Sequence, residues 1–181
     1  MATMDQQKTT PHWYALKVFY NRVFPMENLL RQREIESYVP VKQVEQVRNG
    51  VKYRKRLPAV ASLLFMRCTS DQAEAIRAEL RGRAMVYCDP ESRKPTAIPD
   101  PEMQRFIFIT SKEGEELEYF GEQPADWFVG ERVRVTEGPL CGAEGRIKRI
   151  RGDHRLVVCI EGVVAVATSY IPGCFLEKIE E

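Results

Sequence analysis

The stretch from Gly130 to Ile150 constrains the fold of this chain more than any other. In ERVRVT the valines alternate with polar residues, which is the period of a half-buried strand. A second alternating run, RIKRI, follows a segment that contains Gly138, Gly142 and Gly145. We predict two antiparallel strands joined by a loop in which the glycines supply positive φ angles or let two backbones approach closely.

Size and composition are those of an ordinary globular protein. The chain has 181 residues, of which 44% are hydrophobic and 29% charged. No apolar run approaches the ~20 residues of a membrane helix, and the first ten residues lack the apolar segment of a secretory signal. We therefore expect a cytoplasmic protein that does not associate with membranes.

Reactive side chains are few and scattered. The five cysteines are widely spaced without a C-x-x-C pair, and only two histidines are present. The sequence therefore predicts neither a metal site nor a cofactor site. It also has no nucleophile elbow and no phosphate-binding loop, so an enzyme is the least favoured of the function classes that remain open.

Charge divides the chain into three blocks. Residues 1–112 carry 19 basic and 12 acidic residues, residues 113–126 carry six acidic and no basic ones, and residues 127–181 carry eight of each. The first block could contact a polyanion. The middle block lacks an apolar period, and we predict that it is a linker.

Hydrophobic periodicity predicts an α+β fold for the first block. The expected elements are strands at 13–19, 38–47, 51–57, 62–68 and 84–88, and helices that start at Pro25, at an Asp71–Glu74 capping box and at Asp100. Asn49-Gly50 marks the hairpin between the second and third strands. The formula βαββαβα, which counts one strand fewer than this list, summarises the prediction as a sandwich with helices over an antiparallel sheet.

The last block predicts an all-β unit. It holds five short strands within about fifty residues, including a pair joined at Glu161-Gly162. Closure of so short a sheet removes its exposed edges, so we expect a small five-stranded SH3-like barrel.

Two motifs carry a family resemblance. The spacing of valines and glycines from 130 to 150 resembles the KOW motif of transcription and ribosomal proteins. Trp13-Tyr14 and the stretch Pro58–Met66 are similar to signatures of the NusG family of bacterial transcription elongation factors, with Ala61 and Leu63 where the family has proline and tyrosine. The resemblance implies an RNA polymerase-binding domain at 12–112, an acidic linker at 113–127 and a KOW domain at 128–181.

The resemblance also implies a mechanism without chemistry. The N-terminal domain would contact the clamp helices of the polymerase largest subunit, close the clamp and suppress pausing and termination. The polymerase-binding residues would be Val60, Leu63, Phe65, Ala97 and Ile98. Upstream or non-template DNA would be met by Tyr20, Asn21 and Arg22.

The KOW domain would recruit a second partner, Rho or a small-subunit ribosomal protein. Its contacts would be Leu140, Ala143 and Arg146. Residues 140 and 143 are smaller than in the general factor, which favours a specialised antitermination paralogue of the RfaH or UpxY type. A basic edge from Arg146 to Arg155 leaves an alternative open, an RNA-binding or ribosome-associated KOW protein.

Overall fold

The computed structural model describes residues 10–112, 114–121 and 130–180. In those ranges the fold is mixed α/β, with three α-helices and antiparallel sheets. The chain separates into two compact units, Met1–Asp100 and Pro101–Glu181. The predicted absence of a secretory signal concerns residues 1–9, and much of the predicted linker falls on 113 and 122–129, all of which lie outside the described residues.

The first unit is built on a four-stranded sheet. Its elements are β1 (His12–Val18), α1 (Val23–Gln32), β2 (Glu36–Tyr38), β3 (Val41–Arg48), β4 (Val51–Pro58), β5 (Leu63–Cys68), α2 (Ser70–Glu79) and β6 (Ala84–Val86). The order in the sheet is β2-β5-β1-β6, and all pairs are antiparallel. This confirms the predicted α+β class for the first block.

One face of this sheet is covered by α1 and α2. Alternation along β1 and β5 sends Leu16, Leu64 and Met66 to that face, where they are buried against the apolar stripes of the two helices. In α1 this apolar stripe includes the buried residues Met26 and Leu30, which are four residues apart. The core of the first unit therefore lies between its helices and this face of the sheet.

The strand count of the first unit differs from the prediction. The order before the third helix is βαββββαβ, because the strand expected at 38–47 is divided into β2 and β3. The hairpin of β3 and β4 also lies outside the four-stranded sheet. Pro40 lacks the backbone N–H that a hydrogen bond of the sheet needs, so the strand is interrupted between Tyr38 and Val41. The strands β3 and β4 then pair only with each other, as a separate two-stranded sheet.

Two helix boundaries also differ from the prediction. The first helix begins at Val23, two residues before Pro25. A proline is tolerated in this first turn because the N–H groups there have no intrahelical partner. The apolar spacing in MENLLRQREIES predicts a helix that ends before Pro40. The helix ends at Gln32 instead, because Glu34 adopts a positive φ of 58° and Ile35 N–H donates to Leu30 O at 3.0 Å. This is the hydrogen bond of a helix C-terminal cap.

The cap of α2 lies two residues before the predicted one. Thr69 N–H donates to Gln72 Oε1 at 2.9 Å, and Gln72 N–H donates to Thr69 Oγ1 at 3.3 Å. The capping box is therefore Thr69–Gln72 and not Asp71–Glu74. Glutamine serves as well as glutamate in this motif, since either supplies the oxygen that accepts from the N-cap.

The second unit contains a six-stranded sheet. Its elements are most of α3 (Asp100–Thr110), β7 (Glu118–Phe120), β8 (Arg132–Val135), β9 (Glu144–Ile150), β10 (Asp153–Ile160), β11 (Val164–Tyr170), a 3₁₀ turn (Gly173–Phe175) and β12 (Leu176–Lys178). The order is β12-β8-β9-β10-β11-β7. The five predicted strands are all present, and β7 is a sixth that the sequence did not predict. Within the described residues this sheet is open, so closure into a barrel stays a prediction.

The glycines of the opening stretch have the predicted roles. Gly138 and Gly142 have φ angles of 82° and 87°. At Gly145 the need is close approach, because an added Cβ would lie 2.5 Å from Val157 O of the paired strand β10. The β8–β9 connection therefore depends on glycine for two different reasons.

Helix α3 packs on the sheet of its own unit. Glu161 N–H, in the turn between β10 and β11, donates to Glu102 Oε1 at 2.9 Å. Near the other end of the helix, Phe108 Cζ lies 3.6 Å from where a Cβ of Gly142 would be. Burial raises the pKa of Glu102 although the Glu161 N–H favours its charged form. The helix thus places an ionisable side chain in a partly buried contact.

Candidate functional site

The turn between β1 and α1 holds two adjacent residues in a strained backbone conformation. Tyr20 and Asn21 have φ angles of 60° and 54°. Positive φ is uncommon outside glycine and is an outlier for a bulky residue, and such strain costs of order 1–3 kcal/mol per residue. Tyr20 is also 81% exposed. Strain of this kind clusters at functional sites, which favours a binding role for the turn.

The neighbourhood of Tyr20 is aromatic and basic. Its ring meets Phe19 edge to face, at 6.3 Å between centroids and 71° between planes. The exposed Arg22 occupies the N-cap position of α1, but its side chain forms no capping hydrogen bond, so the guanidinium is not used to cap the helix. The predicted trio Tyr20, Asn21 and Arg22 is therefore presented together at the surface of the first unit.

A cavity of about 550 Å³ opens beside this turn. It is walled by Phe19, Pro25, Met26 and Leu29 and bordered by Tyr20, Arg22 and Arg83. An apolar cavity bordered by an exposed aromatic ring and two guanidiniums suits a flat ring that carries a negative charge at one side. The sequence predicted the trio but not the cavity. Only the fold brings Arg83 to the turn, where Phe19 N–H donates to Arg83 O at 2.9 Å.

The residues predicted to bind polymerase lie on or beside the face of the sheet opposite α1 and α2. The register pairs Phe65 with Ala15 and places Leu63 on the same face. Leu63 and Phe65 are 3% and 0% exposed, so their side chains offer no surface to a partner in this state. Their assignment as contact residues stays a prediction.

The other predicted polymerase-binding residues are unevenly accessible. Ile98 N–H donates to Trp13 O at 2.8 Å, which places 97–98 beside the half of β1 that β6 does not pair with, and Ile98 is buried. Ala97 is exposed and Val60, in the turn before β5, is half-buried. Val60 and Ala97 are therefore the members of the predicted set that a partner can reach.

The predicted KOW partner residues are mostly internal. Leu140 and Ala143 are 5% and 1% exposed, and both belong to the turn that closes the β8–β9 connection. Arg146 is half-buried and its Nη1 donates to Gly130 O at 2.6 Å. The structure brings the three residues to one region, while the surface there is formed by their neighbours Pro139 and Cys141.

The basic edge of β9 and β10 is largely used within the chain. Arg151 and Arg155 both bind Glu118 of β7, at 2.7 and 2.8 Å. Arg149 Nε donates to Gly152 O at 3.2 Å. These contacts hold the three guanidiniums, of which Arg155 is largely covered while Arg149 and Arg151 stay exposed.

Cysteine chemistry is suppressed where the thiols are buried. Burial raises the pKa of Cys68 and of Cys159 to about 11, so neither is a reactive thiolate near neutral pH. Among residues 10–112, 114–121 and 130–180, no group of three or more His, Cys, Asp or Glu side chains is placed to hold a metal ion. Across the same ranges no helix is long and apolar enough to span a bilayer.

The comparison with protein-family models gives a match over about half of the chain. Residues 11–107 match the model of the family described as "Transcription termination factor nusG". Among solved structures the chain is similar to NusG of Thermotoga maritima, from the work titled "Domain interaction in Thermotoga maritima NusG", with a TM-score of 0.45 and 18% identity over 94% of this chain and 98% of that one. No curated protein matches the chain.

Proposed function

Because this chain belongs to the NusG family of transcription factors, whose model matches more than half of its length, we propose that it is a bacterial transcription elongation regulator that binds RNA polymerase. The family match is the observation that carries the proposal. In this proposal residues 12–112 bind the polymerase clamp helices, 113–127 form an acidic linker and 128–181 form a KOW domain that recruits a partner. The protein performs no covalent chemistry.

Clamp binding would regulate transcription by shifting a population. A factor that binds the closed clamp more tightly than the open clamp favours the closed state by the ratio of the two affinities. A closed clamp holds the nucleic acids more firmly, so pausing and termination decrease. This antitermination activity is the finer part of the proposal.

The contact surface would lie on the sheet face that carries Leu63 and Phe65. Apolar side chains in adjacent register make a flat patch suited to packing against helices. Because both side chains are buried here, binding through them requires that this face become accessible. Val60 and Ala97 border the patch and are accessible already.

The turn at Tyr20 would contact DNA. An exposed aromatic ring stacks on an unpaired base irrespective of sequence, and an arginine beside it meets phosphate. The adjacent cavity of about 550 Å³ has room for a base, and Arg22 and Arg83 at its border supply positive charge. Upstream or non-template DNA near the transcription bubble offers such unpaired bases.

The second unit would be a KOW domain of the SH3-like barrel type. The glycines at 138, 142 and 145 meet the geometric needs of the motif, which supports this part of the proposal. A partner such as Rho or a ribosomal protein would contact the β8–β9 loop. The smaller residues at 140 and 143 are the argument for a specialised paralogue over the general factor. Because both side chains are buried here, a partner contact through them requires that this loop become accessible.

Polymerase binding is tested with two accessible residues, because aspartate at Leu63 or Phe65 would place a charge in the interior. We expect the full chain with Val60→Asp and Ala97→Asp to lose at least tenfold in affinity for bacterial core RNA polymerase, measured by biolayer interferometry. The matched control is Ala75→Asp with Ala78→Asp, two exposed positions on α2 that add the same charge to the opposite face. Equal affinity of both double variants and the wild type would refute the assigned surface.

DNA contact at the turn is tested with Tyr20→Gly. Glycine removes both the ring and the strain of a positive φ, so we expect the protein to be as stable as the wild type or slightly more stable. We expect binding to a single-stranded oligonucleotide to fall several-fold, in line with about 1–3 kcal/mol per stacked base. Tyr20→Phe should retain most of the affinity. An affinity unchanged in Tyr20→Gly would exclude stacking at this turn.

A further inference from the structure

We propose that the hairpin formed by β3 and β4 is a DNA-binding arm that enters the major groove of a duplex. The arm consists of residues 41–58 and is distinct from the turn at Tyr20. It goes beyond the proposed function, which assigns DNA contact to that turn alone. It does not depend on polymerase binding, since the free protein would bind duplex through it.

The arm is a two-stranded ribbon, and no third strand among the described residues pairs with it. Eight residue pairs connect its strands in continuous register, from Val41 with Pro58 to Arg48 with Val51. The turn at its end uses Asn49 and Gly50 with φ angles of 52° and 78°, which match the twist of a tight hairpin. At about 3.3 Å per residue its eight pairs span roughly 26 Å. The ribbon is therefore long enough to follow a groove for several base pairs.

Both faces of the arm are basic. Residues directly opposite each other in an antiparallel pair share a face. The register places Lys42, Arg48 and Lys55 on one face, and Lys52, Arg54 and Arg56 on the other. All six are exposed, and the arm contains a single acidic residue, Glu45. A ribbon that enters a groove lies between two phosphate backbones, so it needs positive charge on both faces. A ribbon that lies on a flat surface needs positive charge on one face only.

Most of these charges have no partner within the chain. In the part of the chain that the structure describes, Lys42, Arg48, Lys52, Arg54 and Lys55 form no ion pair. Several like charges on one narrow ribbon repel each other, and binding of a polyanion removes that repulsion.

The sixth cation holds the base of the arm. The Arg56 guanidinium lies over the Phe24 ring of α1, 5.2 Å from its centroid. This cation–π contact joins the base of the ribbon to the body of the first unit. The free cations are therefore carried on an anchored arm.

The chemistry of the arm fits a duplex better than a single strand. The major groove of B-DNA is about 12 Å wide and admits a two-stranded β-ribbon. Single-strand platforms use several aromatic rings, but the arm has only Tyr53, whose hydroxyl donates to Gln46 Oε1 at 2.7 Å. Val47 and Val51 at its end are each 66% exposed. Exposed apolar side chains at this position suit contact with thymine methyl groups.

The test measures binding of the full chain to a fluorescein-labelled 24-base-pair duplex by fluorescence anisotropy, without polymerase. The arm variant carries Lys52→Gln, Arg54→Gln and Lys55→Gln. Loss of three phosphate contacts should reduce the slope of log K against log salt by about 2.7. Raising the salt from 50 to 200 mM should accordingly weaken the wild type about 40-fold more than the variant.

Two further variants make the result decisive. Arg81→Gln, Arg93→Gln and Lys94→Gln remove the same charge from exposed positions outside the arm, and we expect the wild-type slope there. Lys52→Thr, Arg54→Thr and Lys55→Thr keep a high strand propensity, so agreement between the Gln and Thr variants excludes a folding defect.

Each contrary outcome overturns the proposal. One is an arm variant whose slope and affinity equal those of the wild type. Another is tighter binding of the single-stranded 24-mer than of the duplex, which would replace the groove with a single-strand or RNA site. A third is no duplex binding at 50 mM salt. Polymerase affinity of the same arm variant, measured separately, should match the wild type, so failure here leaves the proposed function untouched.

Discussion

At Gly145 a single missing side chain allows two strands to pair. The backbone of β9 passes so close to β10 that an added Cβ would lie 2.5 Å from Val157 O. It would also lie 3.1 Å from Leu156 Cδ1 and from Val158 Cγ2. Because a backbone oxygen on a central strand cannot move without breaking its ladder, the sheet itself must shift to accept any larger residue.

We therefore expect Gly145→Ala to destabilise the second unit by about 1–3 kcal/mol, the usual cost of overpacking a core. Hydrogen exchange of peptides from 144–170 would measure the loss. Gly173→Ala is the matched control, because a Cβ there meets nothing within 4 Å and its φ is not positive. A Gly145→Ala protein as stable as that control would contradict the close approach.

Single residues also show which parts of the candidate site can be predicted from the sequence and which cannot. Tyr20 and Arg22 were predicted from the family resemblance, because they follow the first strand, where relatives approach DNA. The cavity was not, because it needs Arg83, sixty-one residues further along than Arg22, and that proximity is created by the fold. The burial of Phe65 was missed for a related reason. Its face of the sheet is decided by strand register, and a single strand does not show which face is covered.

At the scale of elements, α3 carries a carboxyl group that burial disfavours. Burial raises the pKa of Glu102, more than the Glu161 N–H and Arg105 lower it. Between the ordinary value of 4.5 and the raised value, the folded protein binds more protons at Glu102 than the unfolded chain does. The free energy of unfolding therefore decreases as the pH rises through this window.

Glu102→Gln should remove this penalty while keeping an oxygen that accepts from Glu161. We expect the second unit of the variant to be more stable than the wild type at pH 7.5. Its loss of stability between pH 4.5 and 7.5 should also be smaller. Urea unfolding at both pH values measures the difference, with the exposed Glu137→Gln as control. A variant with the wild-type pH dependence would show that burial does not disfavour this carboxylate.

Hydrophobic periodicity correctly predicted the elements whose own sequence pattern matches the way they pack in the structure. The five C-terminal strands, the hairpin at Asn49-Gly50 and all three helices are present. The errors fall where a contact elsewhere decides. The strand β7 carries two aromatics with no period of its own, and it forms because its backbone pairs with β11 and Glu118 binds two arginines. Strand pairing of that kind is invisible in a linker-like sequence.

At the scale of the whole molecule, the chain divides into two compact units with separate sheets. The family model matches residues 11–107, which include most of the first unit and most of α3. Each unit has its own means of fixing geometry, a capping box at Thr69 in the first and close backbone approach at Gly145 in the second. Substitutions in different units therefore act on different sheets.

If the units unfold separately, the effects of two such substitutions should add. We expect Thr69→Ala to cost about 1 kcal/mol through loss of the cap and to change hydrogen exchange within residues 10–100 alone. The double variant with Gly145→Ala should lose the sum of the two single effects within about 0.5 kcal/mol.

A pair on one element provides the comparison for that result. Thr69→Ala and Gln72→Ala each remove one partner of the same capping box, so their effects are expected to couple. If the pair in different units couples as strongly as this pair, the two units unfold as one. A charge or cavity introduced in the second unit would then weaken the first unit as well. Additive effects would instead allow the β3–β4 hairpin and the β8–β9 loop to be altered independently, because each unit would retain its own free energy of unfolding.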